Sequence, residues 1–206
     1  MSSFFQNVER HFNSYYAKIY GECLTSSKAK KDIVGTAYES WKCKWVKSYS
    51  SLDVATTEEV KQIKSKYKID FNADIYIVDA ETRDLVALEE DKGHYVDKCF
   101  FKRALANAVD SIVMCLAQDM PVPYFILSCP TSYSKAEQIK NFQSMSLKPE
   151  IFKLLEDKFM YFPLCLHGRV NRTSYLKQSS NPFDLCSDLC YDQHSFYEQL
   201  HLAKEN

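Results

Sequence analysis

Apolar residues recur at helical spacing from the start of the chain, through Phe4, Phe5, Val8, Phe12, Tyr15, Tyr16, Ile19 and Cys23. Polar Glu9 and Lys18 fall between them, the pattern of an amphipathic helix over 4–23. A second stripe, Ile33, Ala37, Trp41 and Trp45, predicts a helix over about 32–49, with Lys42, Lys44 and Lys47 making it basic elsewhere. Thr56 and Glu59 have capping-box spacing and open a third helix that runs to about Tyr67.

The period then changes. Residues 73–78 and 85–90 are rich in β-branched and apolar side chains and flank a polar stretch, which reads as strand, turn, strand. Helical spacing resumes over 95–118 until Pro121 and Pro123 stop it, and 124–129 is a short apolar run of buried-strand type ended by Pro130. Residues 134–144 and 148–159 read as helices, 159–166 as a strand and 184–203 as a final helix. This order predicts an α/β fold, a mixed central sheet flanked by helices. The expected organisation is a single domain, 1–206, with a helical part at 1–68, an α/β core at 69–166 and a C-terminal extension at 167–206.

Composition narrows the chemistry. A net charge of −1 means that any nucleic-acid surface must be a local patch. Only four glycines occur, at 21, 35, 93 and 168, and no GxGxxG or GxxxxGK[ST] can be assembled from them. The N-terminus lacks a basic segment followed by an apolar run, and no stretch approaches the ~18 apolar residues of a membrane span. The eight cysteines are therefore expected to be reduced thiols in a cytoplasmic or nuclear protein with no membrane partner.

The hairpin carries the candidate chemistry. If its strands pair around residues 79–85, residues whose numbers sum to 164 face each other, and Asp74 falls opposite Glu90. Cross-strand neighbours lie roughly 4.5–5.5 Å apart at Cβ. Two carboxylates at that distance repel unless a cation lies between them. Glu90 and Lys92 share a face by alternation, while Asp91 points away. Two carboxylates and an ammonium suit phosphodiester hydrolysis, in which a hard divalent cation polarises the phosphate and acidifies a bound water. The oxygen ligands favour Mg²⁺ or Mn²⁺.

Asp74…Glu90-Asp91-Lys92 resembles the D…(E/D)xK signature of the PD-(D/E)XK, or restriction-endonuclease-like, nuclease superfamily. Gly35-Thr36-Ala37-Tyr38-Glu39 is similar to the G-x-x-(aromatic)-E of the helix that precedes the hairpin in many members. The resemblance spans about residues 30–130. It implies a metal-dependent nuclease in which Asp74 and Glu90 hold the metal, Glu39 assists, the main chain of Asp91 adds a ligand and Lys92 positions or activates water. DNA is the implied substrate ahead of RNA, and a homodimer is implied if both strands are cut. An inactive relative binding nucleic acid or a protein partner is the alternative, and a plain helical interaction protein is another. The sequence departs from the family in having Ala73 where a proline is usual. The consecutive acids Glu89-Glu90-Asp91 leave the register open by one residue; Glu90 is preferred because it alone has a lysine two positions on.

Three basic zones are candidate contacts for a phosphate backbone. Lys98, Lys102 and Arg103 follow the hairpin, Lys42 belongs to the zone around Glu39, and Arg169 lies in the 167–172 stretch. Cys165, Cys186, Cys190 and His194 could assemble a structural zinc site, and Cys23 with the three late cysteines loosely echoes an iron–sulfur pattern, although core thiols fit an amphipathic helix equally well. His94 follows Lys92 closely enough to approach the site.

Overall fold

A computed structural model of the chain describes residues 39, 42–91, 98–128, 148–162 and 187–205; at 98, 101, 187–192, 204 and 205 only the backbone is described. Five strands form one sheet in the order β1 (Leu52–Val54), β2 (Ile75–Asp79), β3 (Leu85–Asp91), β4 (Tyr124–Ser128) and β5 (Phe159–Phe162). The first three run antiparallel to their neighbours, while β4 is parallel to β3 and β5 is parallel to β4. The fold is thus a mixed five-stranded sheet flanked by helices, the predicted α/β class. Its helices are α1 (residues 42–46), α2 (Thr57–Tyr67), α3 (Lys98–Leu116), α4 (Pro149–Lys158) and α5 (Ser187–Glu205). The expected helices over 4–23 and 134–144 lie outside the described residues.

Alternation along the strands assigns the two faces. Tyr76 and Leu88 face one side, joined across the parallel pairs by Phe125, Leu127 and Phe159. Leu105, Ala108 and Ile112 of α3, Leu155 of α4 and Ile63 of α2 pack there, forming the main core. The opposite face carries Ala87, Glu89 and Asp91 with Ile126 and Ser128, and receives α1 and α5. Parallel pairing of β3 with β4 requires a crossover, and α3 supplies it.

Local signals account for several boundaries. The capping box at α2 is present: Thr56 Oγ1 accepts from Glu59 N–H, and the Glu59 carboxylate accepts from Thr56 N–H at 2.7 Å. Its C-cap, Lys68, adopts φ 54, a left-handed conformation that closes the helix without glycine. α1 ends before 49, the predicted limit, because Ser48 N–H and Tyr49 N–H turn back three residues to Trp45 and Val46, and Ser48 Oγ also bonds the Trp45 carbonyl. β1 was not foreseen, and it brings residues assigned to the helical part into the sheet.

The hairpin has the expected register over its outer half, Ile75 facing Glu89 and Ile77 facing Ala87; a bulge then pairs Val78 with Leu85. Asp79 Oδ1 accepts from Glu81 N–H and Thr82 N–H, which forms the turn. Arg83, at φ 62, extends from that turn to Glu59 of α2 and Asp53 of β1, tying three elements together.

Candidate functional site

α1 and α5 each present a buried stripe at i, i+3, i+4, i+7, the inward face of a helix. On α1 the stripe is Lys42, Trp45, Val46 and Tyr49, just past the helical run; on α5 it is Gln193, Phe196, Tyr197 and Leu200. In each, the first member is polar in an otherwise aromatic and aliphatic row. Lys42 and Gln193 therefore enter the interior together, where β3 and β4 offer Glu89, Asp91 and Ser128.

There they form a connected network. Lys42 Nζ lies 2.9 Å from Glu89 Oε1, donates to Gln193 Oε1 at 2.5 Å and reaches Ser128 Oγ at 3.4 Å, accounting for its three protons. Gln193 Nε2 donates to the same Glu89 oxygen at 2.8 Å, and the Tyr197 hydroxyl donates a very short hydrogen bond to Glu89 Oε2. Lys42, Glu89, Gln193 and Ser128 have no exposure at all. Tyr197 stands edge-on to Trp45, whose ring also lies 5.1 Å from the Lys42 ammonium.

Asp91 is the unbalanced member. Its carboxyl is 4% exposed and sits 3.9 Å from Lys42 Nζ, yet among the described residues neither of its oxygens has a hydrogen-bond donor. The Glu89 carboxyl beside it can satisfy one of them only by sharing a proton. Burial first, then the charge of Glu89, push the Asp91 carboxyl well above the usual carboxylate range; Lys42 opposes them and Asp74 adds to them. Asp74, half-buried just before β2, turns its own carboxylate to the Asp91 N–H at 2.9 Å. One ammonium thus stands among three carboxyls, those of Asp74, Glu89 and Asp91. Glu39, one helical turn before Cys43, acts from the same side: burial, then Asp91, Glu89 and more weakly Glu39 raise the Cys43 thiol to about 11, with Lys47 opposing.

These positions correct the expected geometry. The register does set Asp74 across from Glu90, but Glu90 faces the α3 side of the sheet, where it lines an open cavity with Phe100 and Arg103. Asp91, expected to point away, lies on the side of Asp74 and Lys42. Asp74 precedes the strand, so strand alternation does not bind its side chain. Lys42, expected on a nucleic-acid surface, is buried and bonded to Glu89, because it belongs to the inward stripe of α1.

Lys92, His94 and Arg169 lie outside the described residues, and Lys98 is described by its backbone only. Lys102 and Arg103 are exposed on α3, across the sheet from the buried network. Cys165 and Cys186 lie outside the described residues, while His194 pairs with Tyr49 through Nδ1 and faces Glu198 at 3.4 Å through Nε2. Gln193 and Tyr197 were missed in the sequence. Their four-residue spacing on a helix was legible, but nothing marked that face as the one turned toward the acids.

Among the described residues no group of three or more His, Cys, Asp or Glu side chains is arranged to hold a metal ion. The hard-oxygen pair of Asp74 and Asp91, with donor-less oxygens on Asp91, nonetheless suits a cation that takes one or two carboxylates and keeps water in its remaining positions, as Mg²⁺ does. No helix among the described residues is long and apolar enough to cross a membrane. No family model matches the chain, and no curated protein and no solved structure is similar to it.

Proposed function

We propose that this chain is a Mg²⁺- or Mn²⁺-dependent nuclease of the restriction-endonuclease-like kind, with its site on the α1–α5 face of the sheet. The observation that carries the reading is the Asp91 carboxyl, buried without a donor between Asp74 and the Lys42–Glu89 pair. The element order supports it: a helix, three antiparallel strands, a crossover helix and a strand parallel to the third, with the acids at the junction. This is the arrangement that the Asp74…Glu90-Asp91-Lys92 resemblance implies.

In this reading Asp74 and Asp91 hold the metal, with Glu39 assisting. When bound, the metal polarises the phosphate and acidifies a water. Glu89 has a different task. Both its oxygens are engaged by Lys42, Gln193 and Tyr197, so it anchors the ammonium beside Asp91. Lys42 then supplies fixed positive charge where negative charge grows on the phosphate, a preorganised contribution that needs no rearrangement during reaction. Lys42 thus takes the place that the motif gave to Lys92. DNA is the first substrate to test, ahead of RNA, and cleavage of both strands would call for a homodimer with one site per strand.

One observation favours a different reading, that of an inactive module of the same fold. Lys42 already neutralises Glu89, and the network is closed to solvent. A gel assay with single- and double-stranded DNA and RNA in Mn²⁺ separates the two. Cleavage by the wild type that is lost in Asp91→Asn and Lys42→Met, and retained in Glu90→Gln, supports the nuclease. Absence of cleavage on all substrates removes it and leaves the inactive module.

A further inference from the structure

The cavity across the sheet from the carboxyl network has a composition of its own. Phe71, Phe100 and Phe125 line it, and Glu90, Arg103 and Asn107 bring a carboxylate, a guanidinium and an amide to the same space. Its empty volume is about 420 Å³, open to solvent on one side. Phe100, Arg103 and Asn107 fall at i, i+3 and i+7 of α3, one face of that helix, with the small Ala104 leaving room between them. The Arg103 guanidinium carbon lies 5.2 Å from the Phe100 ring centre, so the flat cation is already stacked on an aromatic face.

Aromatic walls with a few convergent polar groups are the usual make-up of a small-molecule site. A planar ring with donors and acceptors on its edge matches this one: its faces meet phenyl rings, and its edge meets a group that only accepts, a group that only donates and an amide that does both. Nucleobases have that chemistry, and proteins that hold single strands combine aromatic stacking with cationic groups in the same way. The position is also suitable. Glu90 in the cavity and Asp91 in the network are consecutive residues on opposite faces of β3, separated along the strand by about 3.3 Å.

We propose that this cavity is a nucleobase pocket, holding a base unstacked from the strand whose backbone passes the end of β3 at Asp91. The assignment rests on the nuclease reading for its connection to cleavage, while base binding itself does not require cleavage. Exposed Lys102, next to Arg103, stands where the phosphate of a bound nucleotide would be screened.

Saturation-transfer NMR with the full chain and each of the four deoxynucleoside 5′-monophosphates tests it. The expected result is transfer to the base protons of at least one nucleotide, with affinity weakened about tenfold by Asn107→Leu, the effect of losing one edge contact. Arg103→Ala gives a second loss that leaves the cavity floor intact, and Asp91→Asn leaves base binding within about twofold of wild type. Absence of transfer to base protons in the wild type overturns the pocket, as does binding indifferent to Asn107→Leu and Arg103→Ala. Base binding with these losses, in a chain that cleaves nothing, keeps the pocket and discards the nuclease reading. Cleavage lost in Asp91→Asn without any base binding keeps the nuclease and discards the pocket.

Discussion

Lys42 and Asp91 show how differently two buried charges can be treated. The ammonium has Glu89, Gln193 and Ser128 around it, so removing it leaves Glu89 and Asp91 as uncompensated buried acids. Lys42→Met is expected to destabilise the fold by about 3–5 kcal/mol, the range for breaking a buried pair from one side. Urea unfolding measures it, and a loss within about 0.5 kcal/mol would mean that the pair is not formed. Asp91 has the opposite deficit, since its oxygens lack donors beside Glu89. Asp91→Asn keeps the shape and supplies an N–H, so the metal-free protein is expected to gain about 1–2 kcal/mol. A higher midpoint in EDTA than wild type would agree; a lower one would show that Asp91 is satisfied in the metal-free fold.

The elements hold together through contacts that the sequence revealed unevenly. The capping box of α2 was legible because it depends on two residues three apart, Thr56 and Glu59. Thr56→Ala is expected to cost about 1 kcal/mol, read from the shift in unfolding midpoint at unchanged m-value. The outer hairpin register was legible for a similar reason, since alternation and the turn fix it together. β1 was not, because three residues, Leu52–Val54, are too few to establish a period. Alternation also told that Glu89 and Asp91 share a face, but not which face α1 would cover. That depended on the inward stripe of α1, where Lys42 has the same letter as its exposed neighbours Lys44 and Lys47.

The tie from α2 to the turn is pH-dependent. The Arg83 guanidinium first, and the Thr56 N–H second, hold the Glu59 carboxyl at about 2, below its ordinary 4.5. A lowered carboxylate contributes stability that is full above its unfolded value and is lost as pH falls through the folded one. Acidification from about 4.5 to about 2 should therefore erase this contribution. Arg83→Gln should be less stable at neutral pH and should lose less over that interval; equal slopes for both proteins would contradict the tie.

At the scale of the whole molecule, the sheet separates two kinds of chemistry. One face, under α2, α3 and α4, is largely an apolar core with the Glu90 cavity at its margin. The other, under α1 and α5, encloses the lysine and the acids. The C-terminal helix is thus part of the candidate site, since Gln193 and Tyr197 of α5 set both oxygens of Glu89. The central claim is that Asp74 and Asp91, on that second face, bind a divalent cation. Thermal unfolding with and without Mn²⁺ tests it most directly, because a ligand at about a hundred times its Kd stabilises by about 2.7 kcal/mol. The account predicts a clear rise in midpoint for wild type and Glu90→Gln, abolished in Asp74→Asn and Asp91→Asn. A wild-type midpoint indifferent to Mn²⁺, or a rise that survives in Asp91→Asn and disappears in Glu90→Gln, would contradict it.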